Sequence, residues 1–451
     1  MNEKVRKKSL MAEIIPFAGL HYNPERVPLD KVIAPPYDVL SPEQQKALYE
    51  IHSDNFVRIM LNREETGDGE SRNRYTRAAD CLNEWLSQGI LVQDEIPALY
   101  EYIQRFEHPN ESTRIVERKT LFVALKLEPY EKGVILPHEE THPKAKADRL
   151  QLMRATQANP EPIYGLYEDP SHEAAQMLEQ ARGSVEPFLT AALSGKSGAR
   201  TEEHIIYRHA DAAVIKEVSA FLSSRRIWIA DGHHRYETAL NYQREQRERA
   251  APDTTASQPY DYLLIGLSAF EDPGLVVLPT HRLVKNISAN RLEALALQLD
   301  RFFIVQETTI ETAREWIKRE APGQKRFAIL RAEGALCLIL RDLKLAESAA
   351  EDTHCEAWRR LDVTILQTLV LDRTLGISWT ELAHTADVAY TRDEEEAVHK
   401  VASGEFQLAC LLQNPTVNEV RDVASAGDKM PQKSTFFYPK LWSGLILRSL
   451  R

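Results

Sequence analysis

The chain has 451 residues, of which 43% are hydrophobic and 27% are charged, and these proportions exclude a disordered or fibrous protein. Its 67 acidic residues outnumber the 56 Lys and Arg residues, and the formal net charge of -11 argues against nonspecific binding to nucleic acid. The 4 cysteines form no C-x-x-C pair, so the sequence predicts neither a cysteine zinc site nor a disulfide framework.

No segment approaches the roughly 18 uninterrupted apolar residues of a membrane span. The basic start, Met1 to Leu10, lacks the apolar run of a signal peptide. We therefore expect a cytoplasmic protein in a reducing compartment, with no membrane partner. The length predicts about two or three domains.

The opening segment, residues 14–39, is rich in proline and is predicted to be extended. Tyr37 and Asp38 follow a Pro-Pro pair in this segment and place a phenol and a carboxylate on a rigid loop. Two interpretations stay open for this loop. It is either a packed turn ahead of a helix capped by Ser41, or a loop whose side chains contact a substrate.

Apolar residues at helical spacing predict amphipathic helices at residues 74–86, 213–222 and 292–299. Short apolar runs bounded by turn residues predict buried strands at residues 121–127, 227–230, 262–267 and 408–412. Polar stretches rich in small residues predict surface loops at residues 62–72, 194–203, 244–258 and 346–356. This alternation, without any internal repeat, predicts a mixed α and β fold.

Residues 138–142 match the H-E-x-x-H pattern, which in a buried helix would supply two zinc ligands and a general base. Pro137 and Pro143 flank the motif, and proline disfavours a continuous helix there. We therefore predict a loop at this position. It is followed by the start of a helix that carries three charged residues: Lys146, Asp148 and Arg149.

The segment Arg226–Leu240 predicts a strand, a turn at Asp231 and Gly232, and the start of a helix. Such a turn points backbone N–H groups outward at the positive end of the helix dipole, and glycine lets an anion approach the backbone. His233, His234 and Arg235 add hydrogen-bond donors after the glycine, and the guanidinium of Arg235 can donate two hydrogen bonds to phosphate oxygens. The segment therefore predicts a phosphate-binding turn; a capped helix with surface histidines is the alternative.

The run from Asp231 to Ala239 resembles the phosphate-binding turn of the ParB/sulfiredoxin-like superfamily, which includes ParB nucleotide switches, sulfiredoxin and an archaeal free-serine kinase. His233 stands where sulfiredoxin has its catalytic cysteine, so the resemblance does not imply sulfinic acid reduction. Six ordered motifs also resemble the bacterial and archaeal family known as domain of unknown function 1015: residues 15–22, 34–39, 137–149, 231–236, 279–282 and 430–440.

These resemblances imply a kinase, a nucleotide-dependent phosphotransferase that uses ATP or ADP with Mg2+ on a small hydroxyl metabolite, with serine favoured by analogy. A carboxylate beside a phosphate site can take the proton of an attacking hydroxyl, so the predicted base is Glu139, with His138 and Asp231 as further catalytic residues. The predicted phosphate-binding or nucleotide-binding residues are Gly232, His233, His234, Arg235, Lys146, Arg149, Lys433, Ser434 and Thr435. The Mg2+ ligand is predicted to be Asp148, and the substrate contacts are predicted to be Tyr37, Asp38, His281 and Arg282.

Two further clusters are predicted to bind anions. His281 and Arg282 follow an apolar run, residues 275–278. The Lys433 segment precedes an aromatic run, residues 436–438, which predicts a strand or a core segment. This segment lacks the G-x-x-x-x-G-K-[ST] spacing, so no P-loop is predicted.

We predict an α+β protein whose N-terminal domain, residues 12–285, has a ParB/sulfiredoxin-like mixed core that binds the nucleotide. A smaller C-terminal α/β region, residues 286–451, is expected to complete the cleft. Two other functions stay open. One is a nucleotide-gated binding module without turnover, and the other is a metal-dependent hydrolase that uses His138, Glu139, His142 and either His233 or His234.

Overall fold

A computed structural model describes residues 12–109, 111–193, 201–251, 256–319, 321–350, 353–379 and 386–451. The chain divides into two compact units. Unit 1 runs to Leu275 and resumes at Pro439, and unit 2 comprises Val276–Tyr438. Across the described ranges, every helix is too short or too polar to cross a membrane.

The strands of the described residues are β1 (Ile14–Ile15), β2 (Gly19–Tyr22), β3 (Leu91–Gln93), β4 (Leu99–His108), β5 (Glu111–Lys126), β6 (Ile135–Leu136), β7 (Ala158–Asn159), β8 (Ile163–Tyr167), β9 (Leu189–Leu193), β10 (Glu202–His209), β11 (Ile227–Asp231), β12 (Tyr262–Ala269), β13 (Val276–Leu278), β14 (His281–Val284), β15 (Phe303–Thr308), β16 (Arg326–Arg331), β17 (Gly334–Leu340), β18 (Val388–Thr391), β19 (Leu408–Leu412), β20 (Phe436–Tyr438) and β21 (Leu447–Ser449).

The α-helices of the same residues are α1 (Leu29–Val32), α2 (Pro42–Ile51), α3 (Val57–Met60), α4 (Arg74–Ser87), α5 (Pro143–Thr156), α6 (Glu173–Arg182), α7 (Ala212–Ser223), α8 (His233–Arg249), α9 (Ala289–Glu293), α10 (Leu295–Leu299), α11 (Ile310–Lys318), α12 (Leu343–Ala349), α13 (Glu356–Arg359), α14 (Asp362–Ile365), α15 (Glu394–Ala402) and α16 (Val417–Ser425). Short 3-10 helices form at Tyr37–Val39, Tyr130–Lys132 and Pro259–Asp261, and a π-helix forms at Leu366–Asp372.

The main sheet of unit 1 has the strand order β6-β11-β8-β12-β5-β4-β10-β9 in the described residues, and β1 pairs with β5. The pairs β6–β11 and β8–β12 are parallel, whereas β8–β11 and β5–β12 are antiparallel. A second sheet has the order β3-β2-β21-β7. Its strand β21 comes from the C-terminal segment of the chain, so both ends of the chain build unit 1.

The core of unit 1 lies between the main sheet and the helices α5 to α8. Alternate residues of β5, namely Leu121, Val123 and Leu125, face this core, as the two-residue period of a strand requires. From the helix side, Met153 of α5 and Tyr236 of α8 join the same apolar cluster. Full burial of such a side chain contributes about 1.5–3 kcal/mol, so this layer holds α5 and α8 on the sheet.

Unit 2 contains a sheet with the order β15-β17-β16-β19-β14-β18, together with the pair β13–β20. The pair β13–β20 aligns Val276 with Tyr438, so the first and last residues of unit 2 are neighbours. Apolar clusters cover both faces of the larger sheet. Phe327 and Ile329 of β16 face one cluster, and Ala328 and Leu330 face the other.

The predicted mixed α and β class is confirmed. The predicted buried strands correspond to β5, β11, β12 and β19, and two of the three predicted helices correspond to α4 and α7. Residues 292–299 instead form parts of α9 and α10, which are separated at Ala294. Helix α8 continues to Arg249 through residues predicted as loop, because Arg, Glu and Gln favour helix in this stretch.

Three further segments were predicted to be extended or to form surface loops. The short helix α1 interrupts the segment predicted as extended, and α12 covers residues 346–349 of a predicted loop. Most of the loop predicted at residues 194–203 lies outside the described residues.

The two units end at different residues from the predicted domains. Residues 276–285 lie in unit 2, where β14 pairs with β18 and β19. Residues 439–451 lie in unit 1, where β21 pairs with β2 and β7. Both differences arise from strand pairing between distant segments, which the local pattern of apolar residues does not encode.

Gly274 provides a test of the packing beside β5. A Cβ atom at Gly274 would lie 2.2 Å from the carbonyl oxygen of Glu117, whose strand is paired with β4. Gly274→Ala is expected to lower the free energy of unfolding by about 1–3 kcal/mol, because the strand backbone cannot move away without losing that pairing. Urea denaturation measures the change. Gly69→Ala, where a Cβ would meet nothing within 4 Å, is the control, and equal losses in the two variants would contradict the close approach.

Candidate functional site

The predicted strand, turn and helix around Gly232 are present in unit 1. Strand β11 ends at Asp231, Gly232 has a left-handed φ of 89°, and α8 begins at His233. A Cβ atom at Gly232 would lie 2.9 Å from Ile163 Cγ2 and 3.0 Å from Arg235 Nε, so both the backbone angle and the space require glycine. The N–H groups of a first helical turn have no acceptor within the helix, so this turn presents donors at the positive end of α8.

Two buried histidines join the turn to the loop that precedes α5. His138 and His233 are each 2% exposed, and their ring centroids lie 4.6 Å apart. The His138 N–H donates to His233 Nε2 at 3.2 Å, so a neutral His233 carries its proton on Nδ1, 3.7 Å from Glu139 Oε2. His138 Nδ1 donates to the carbonyl of Ile229 at 2.7 Å. Burial lowers the pKa of His138 to about 4, so this ring is neutral at neutral pH.

A second set of contacts holds the same loop against α8. Thr141 Oγ1 and Lys146 Nζ donate to Glu237 Oε2 at 2.6 Å and 2.8 Å. The His142 N–H donates to His234 Nε2 at 2.8 Å, and the two rings stack. Burial, together with the neighbouring His142, lowers the pKa of His234. Lys146 remains 27% exposed and Glu139 remains 41% exposed, so both can meet a ligand from solvent.

The guanidinium of Arg235 lies behind the turn. Arg235 is 8% exposed, its Nη1 donates to the carbonyl of Pro162, and its Nη2 lies 3.6 Å from Asp231 Oδ2. This orientation does not match the two-point grip on a phosphate that we predicted. The reason is electrostatic, because the charged groups closest to this cation are the carboxylates of Asp231 and Glu161. Arg235 therefore contributes positive charge behind the turn.

Glu161 connects three segments of unit 1. It is 3% exposed, and its Oε1 accepts hydrogen bonds from the Tyr37 N–H and the Ser443 hydroxyl, both at 3.2 Å. Its Oε2 accepts a hydrogen bond from Arg149 Nη1 at 3.3 Å. Burial raises the pKa of Glu161, and Arg235 and Arg149 oppose that increase. The Arg149 guanidinium also lies 3.9 Å from the centroid of the Tyr37 ring, so the Tyr37 loop is fixed from two sides.

Asp148 forms part of an ion-pair network. Its Oδ1 accepts from Arg74 Nη2 at 2.6 Å and from the Tyr75 hydroxyl at 2.8 Å, and its Oδ2 accepts from Arg149 Nε at 2.7 Å. Burial alone would raise the pKa of Asp148, but Arg149, Tyr75 and Arg74 outweigh it and lower the pKa. Both oxygens thus face protein donors, and this arrangement favours a structural ion pair over the predicted Mg2+ ligand.

Asp38 completes the predicted residues of unit 1. It is exposed, and its carboxylate is close enough to affect the pKa values of Tyr37, His234 and Arg235. Unit 1 therefore brings together twelve of the predicted site residues: Tyr37, Asp38, His138, Glu139, Lys146, Asp148, Arg149, Asp231, Gly232, His233, His234 and Arg235.

Sequence reasoning missed three residues of this site, Lys440, Glu161 and Glu237. Lys440 Nζ lies 3.2 Å from Asp231 Oδ2. Burial alone would raise the pKa of Asp231, but Lys440 and Arg235 outweigh it and lower the pKa. Lys440 closes the C-terminal motif that carried the family resemblance, so a signal for it existed. Glu237 lies within the run from Asp231 to Ala239 that resembles a phosphate-binding turn, so a signal for it also existed, whereas Glu161 has no distinguishing pattern in the sequence.

Five predicted residues belong to unit 2: His281, Arg282, Lys433, Ser434 and Thr435. Arg282 is 3% exposed, and its guanidinium donates to the carbonyl of Thr280 and, at 3.3 Å, to the carbonyl of Lys433. Burial lowers the pKa of Arg282 to about 10 and that of His281 to about 3. The two predicted clusters thus contact each other, and their binding of an anion stays a prediction.

The H-E-x-x-H pattern does not form a helical metal site. Residues 138–142 are not helical, and α5 begins after them at Pro143. His138 and His142 each donate a backbone N–H to a histidine of α8. Over the ranges that the structure describes, no group of three or more His, Cys, Asp or Glu side chains is arranged to hold a metal ion.

A family model described as "Protein of unknown function (DUF1015)" matches residues 14–364. No curated protein matches the chain.

The chain is also similar to several solved structures. A conserved hypothetical protein from Pyrococcus furiosus is 14% identical, covers 71% of this chain and 92% of its own, and has a TM-score of 0.33. A free serine kinase in complex with AMP is 14% identical, covers 70% and 86%, and has a TM-score of 0.32. SbnI with a C-terminal truncation, from Staphylococcus aureus, is 10% identical, covers 70% and 85%, and has a TM-score of 0.33. At these values the likeness carries no argument about activity.

The burial of neutral His138 makes stability depend on pH. An unfolded histidine binds a proton near pH 6.5, whereas folded His138 does so only near pH 4. Lowering the pH from 7 to 5 therefore favours the unfolded state, and His138 should account for a loss of about 2 kcal/mol in the free energy of unfolding. Urea unfolding of wild type and His138→Gln at both pH values measures this contribution. The same loss in both proteins would contradict the assignment to His138.

Proposed function

The chain belongs to the DUF1015 family of proteins of unknown function, and we propose that it is a nucleotide-dependent phosphotransferase acting on a small hydroxyl metabolite. The observation that carries the proposal is the Gly232 turn with its surrounding charges. The cations of Lys440 and Lys146 are linked to the turn and to α8 by ion pairs, and the exposed carboxylate of Glu139 lies beside His233.

The turn supports binding of a nucleotide phosphate for three physical reasons. Its backbone N–H groups lie at the positive end of α8, where an anion is stabilised. Gly232 takes the left-handed conformation that turns the chain from β11 directly into the first turn of α8. Asp231 faces two cations, Lys440 and Arg235, so a phosphate at the turn would lie near two positive charges in a partly buried position. These features together favour a phosphate-bearing ligand.

Glu139 has the exposure and the position expected of a general base. Its carboxylate is accessible to solvent, and His233 Nδ1 lies 3.7 Å from it. In the proposed step, the acceptor hydroxyl oxygen forms a bond to the terminal phosphorus of the nucleotide, and Glu139 takes the hydroxyl proton. The bond from that phosphorus to the bridging oxygen breaks, and the electron pair leaves with the shortened nucleotide. The products are a phosphate monoester and a nucleotide with one phosphate fewer.

Lys146 is the cation proposed to neutralise the transferring phosphoryl group. It is held by Glu237 at 2.8 Å and stays partly exposed. Mg2+ would arrive with the nucleotide phosphates and neutralise part of their charge when bound. Both oxygens of Asp148 accept hydrogen bonds from protein donors, so we assign no protein ligand to Mg2+ and no step to it.

Tyr37 and Asp38 are proposed to contact the acceptor, because their loop is fixed to Glu161 beside Arg235. Serine is the first acceptor to test, since the turn resembles that of the free-serine kinase. The participation of the unit 2 residues in this reaction stays a prediction: His281, Arg282, Lys433, Ser434 and Thr435.

The first test measures nucleotide binding. ATP, ADP, CTP and GTP, with and without Mg2+, are added to the purified protein, and at least one should raise its melting temperature. A ligand present at 100 times its dissociation constant stabilises a folded protein by about 2.7 kcal/mol. Gly232→Ala should lose the shift, because a Cβ atom would press on Ile163 and Arg235 and the left-handed backbone of the turn would be strained. Gly67→Ala, at a left-handed glycine with nothing within 4 Å, is the control. If folded Gly232→Ala kept the full shift, the turn would not be the binding site.

The second test addresses the base. Glu139→Gln should lower the rate of phosphate transfer by about a hundredfold to ten-thousandfold while nucleotide binding is unchanged, because only the proton acceptor is lost. Glu140→Gln, at the exposed neighbouring position, should keep the wild-type rate. Transfer to serine and to other hydroxyl metabolites is followed by 31P NMR. Full turnover by Glu139→Gln would refute the base assignment. Nucleotide binding with a change in oligomeric state, but without transfer to any metabolite, would instead favour the gated binding module.

A further inference from the structure

We propose that Lys440 is a phosphate-contacting residue of the Gly232 turn, held in place by Asp231. The inference rests on the nucleotide binding proposed above. Lys440 Nζ lies 3.2 Å from Asp231 Oδ2, and Asp231 is the last residue of β11, directly before Gly232. The ammonium group is therefore held one residue from the glycine where the backbone admits an anion.

Hydrogen bonds fix the chain at Lys440 and at Trp442, two residues later. The Lys440 carbonyl accepts a hydrogen bond from Gln104 Nε2 at 3.2 Å. Two residues later, Trp442 Nε1 donates to Glu202 Oε2 at 3.0 Å, and Gln104 Nε2 lies 3.3 Å from the same oxygen. The backbone of Lys440 is thus anchored to β4 and β10 of the main sheet.

Packing fixes the same segment further. A Cβ atom at Gly266 of β12 would lie 2.8 Å from Leu441 Cδ1, so Leu441 packs directly on the backbone of the sheet. The Ser443 N–H donates to the carbonyl of Ala34 at 2.8 Å. Lys440 is 13% exposed within this anchored segment. Its ammonium group therefore loses little further freedom on contacting a ligand, which is the condition for a preorganised binding group.

The charges around Asp231 also favour an anionic ligand. Asp231 is shared by Lys440 and by Arg235, whose Nη2 lies 3.6 Å away. Glu161 and Asp38 also act on Arg235, so the charge of Arg235 does not depend on Asp231 alone. Lys440 and Arg235 place two cations at the end of β11, and their field favours an anion at the turn.

A purely structural role for Lys440, as the counter-ion of Asp231, makes a different prediction. The two roles are separated by a double-mutant cycle of wild type, Lys440→Met, Asp231→Asn and the double variant. Calorimetric titration measures the affinity of each protein for ADP and for inorganic pyrophosphate. The control is Lys132→Met, at a lysine that is 55% exposed and paired with Glu128.

If Lys440 contacts phosphate, Lys440→Met weakens the binding of both probes by about tenfold to a hundredfold. Asp231→Asn binds at least as tightly as wild type, because the ammonium group remains and a competing negative charge is gone. The double variant stays as weak as Lys440→Met. Its melting temperature nevertheless rises above that of Lys440→Met, because the buried carboxylate that lost its partner is gone as well.

If the wild-type protein binds the probes, and Lys440→Met or the double variant binds them equally tightly, the inference is overturned. The proposed function is then unaffected. A loss limited to ADP, with pyrophosphate binding unchanged, also overturns the phosphate contact. No binding of either probe by wild type overturns both. If Lys440→Met does not fold, the double variant and Lys440→Arg carry the comparison, and Lys440→Arg should keep most of the affinity because it keeps the charge.

Discussion

A buried carboxylate is stable only when cations and hydrogen-bond donors surround it, and the position of Glu161 in unit 1 depends on this requirement. Glu161 takes donors from the Tyr37 loop, from Arg149 of α5 and from Ser443 of the C-terminal segment. These segments are far apart in the sequence, and one carboxylate ahead of β8 accepts hydrogen bonds from all of them. The same carboxylate acts on Arg235, which lies behind the Gly232 turn. Glu161 therefore links the Tyr37 loop, α5 and the C-terminal segment to the strand that lies beside the turn.

Several polar groups around the turn are buried, and the neighbouring charges decide whether each of them is neutral or ionised. Burial lowers the pKa of His138 and keeps the ring neutral, and Lys440 adds to this effect, although the hydrogen bond to the Ile229 carbonyl and the Asp231 carboxylate act in the opposite direction. Asp231 stays ionised although it is buried too, because Lys440 and Arg235 outweigh the loss of hydration. The loop before α5 is accordingly joined to α8 largely by neutral hydrogen bonds, whereas two cations flank Asp231 at the end of β11. The proposed anion would therefore meet these cations without breaking the contacts that hold the loop.

Local patterns in the sequence located several of the elements, and they were insufficient for the contacts between elements. The strand, turn and helix at Gly232 could be predicted because an apolar run, an Asp-Gly pair and a helical pattern follow one another within fifteen residues or so. The inward orientation of Arg235 could not be predicted, since it depends on Pro162 and Glu161, which directly precede another strand, β8. The role of Glu161 was missed for the same reason, because a single glutamate between two prolines has no pattern. The residues at which unit 1 ends also depend on strand pairing. They could not be predicted, because apolar periodicity does not specify which strands pair.

Unit 1 is completed only by the last segment of the chain, and this has a consequence for how its charges are satisfied. Before residues 439–451 join, Asp231 lacks Lys440, Glu161 lacks the Ser443 hydroxyl, and β2 and β7 lack the strand β21. Closing a loop from Leu275 to Pro439 costs entropy that grows only slowly with its length, so the insertion of unit 2 adds little to that cost. The joined segment buries Leu445, Ile446 and Leu447 and gives the two buried carboxylates Asp231 and Glu161 their partners. The charged site is therefore complete only when the C-terminal segment is docked.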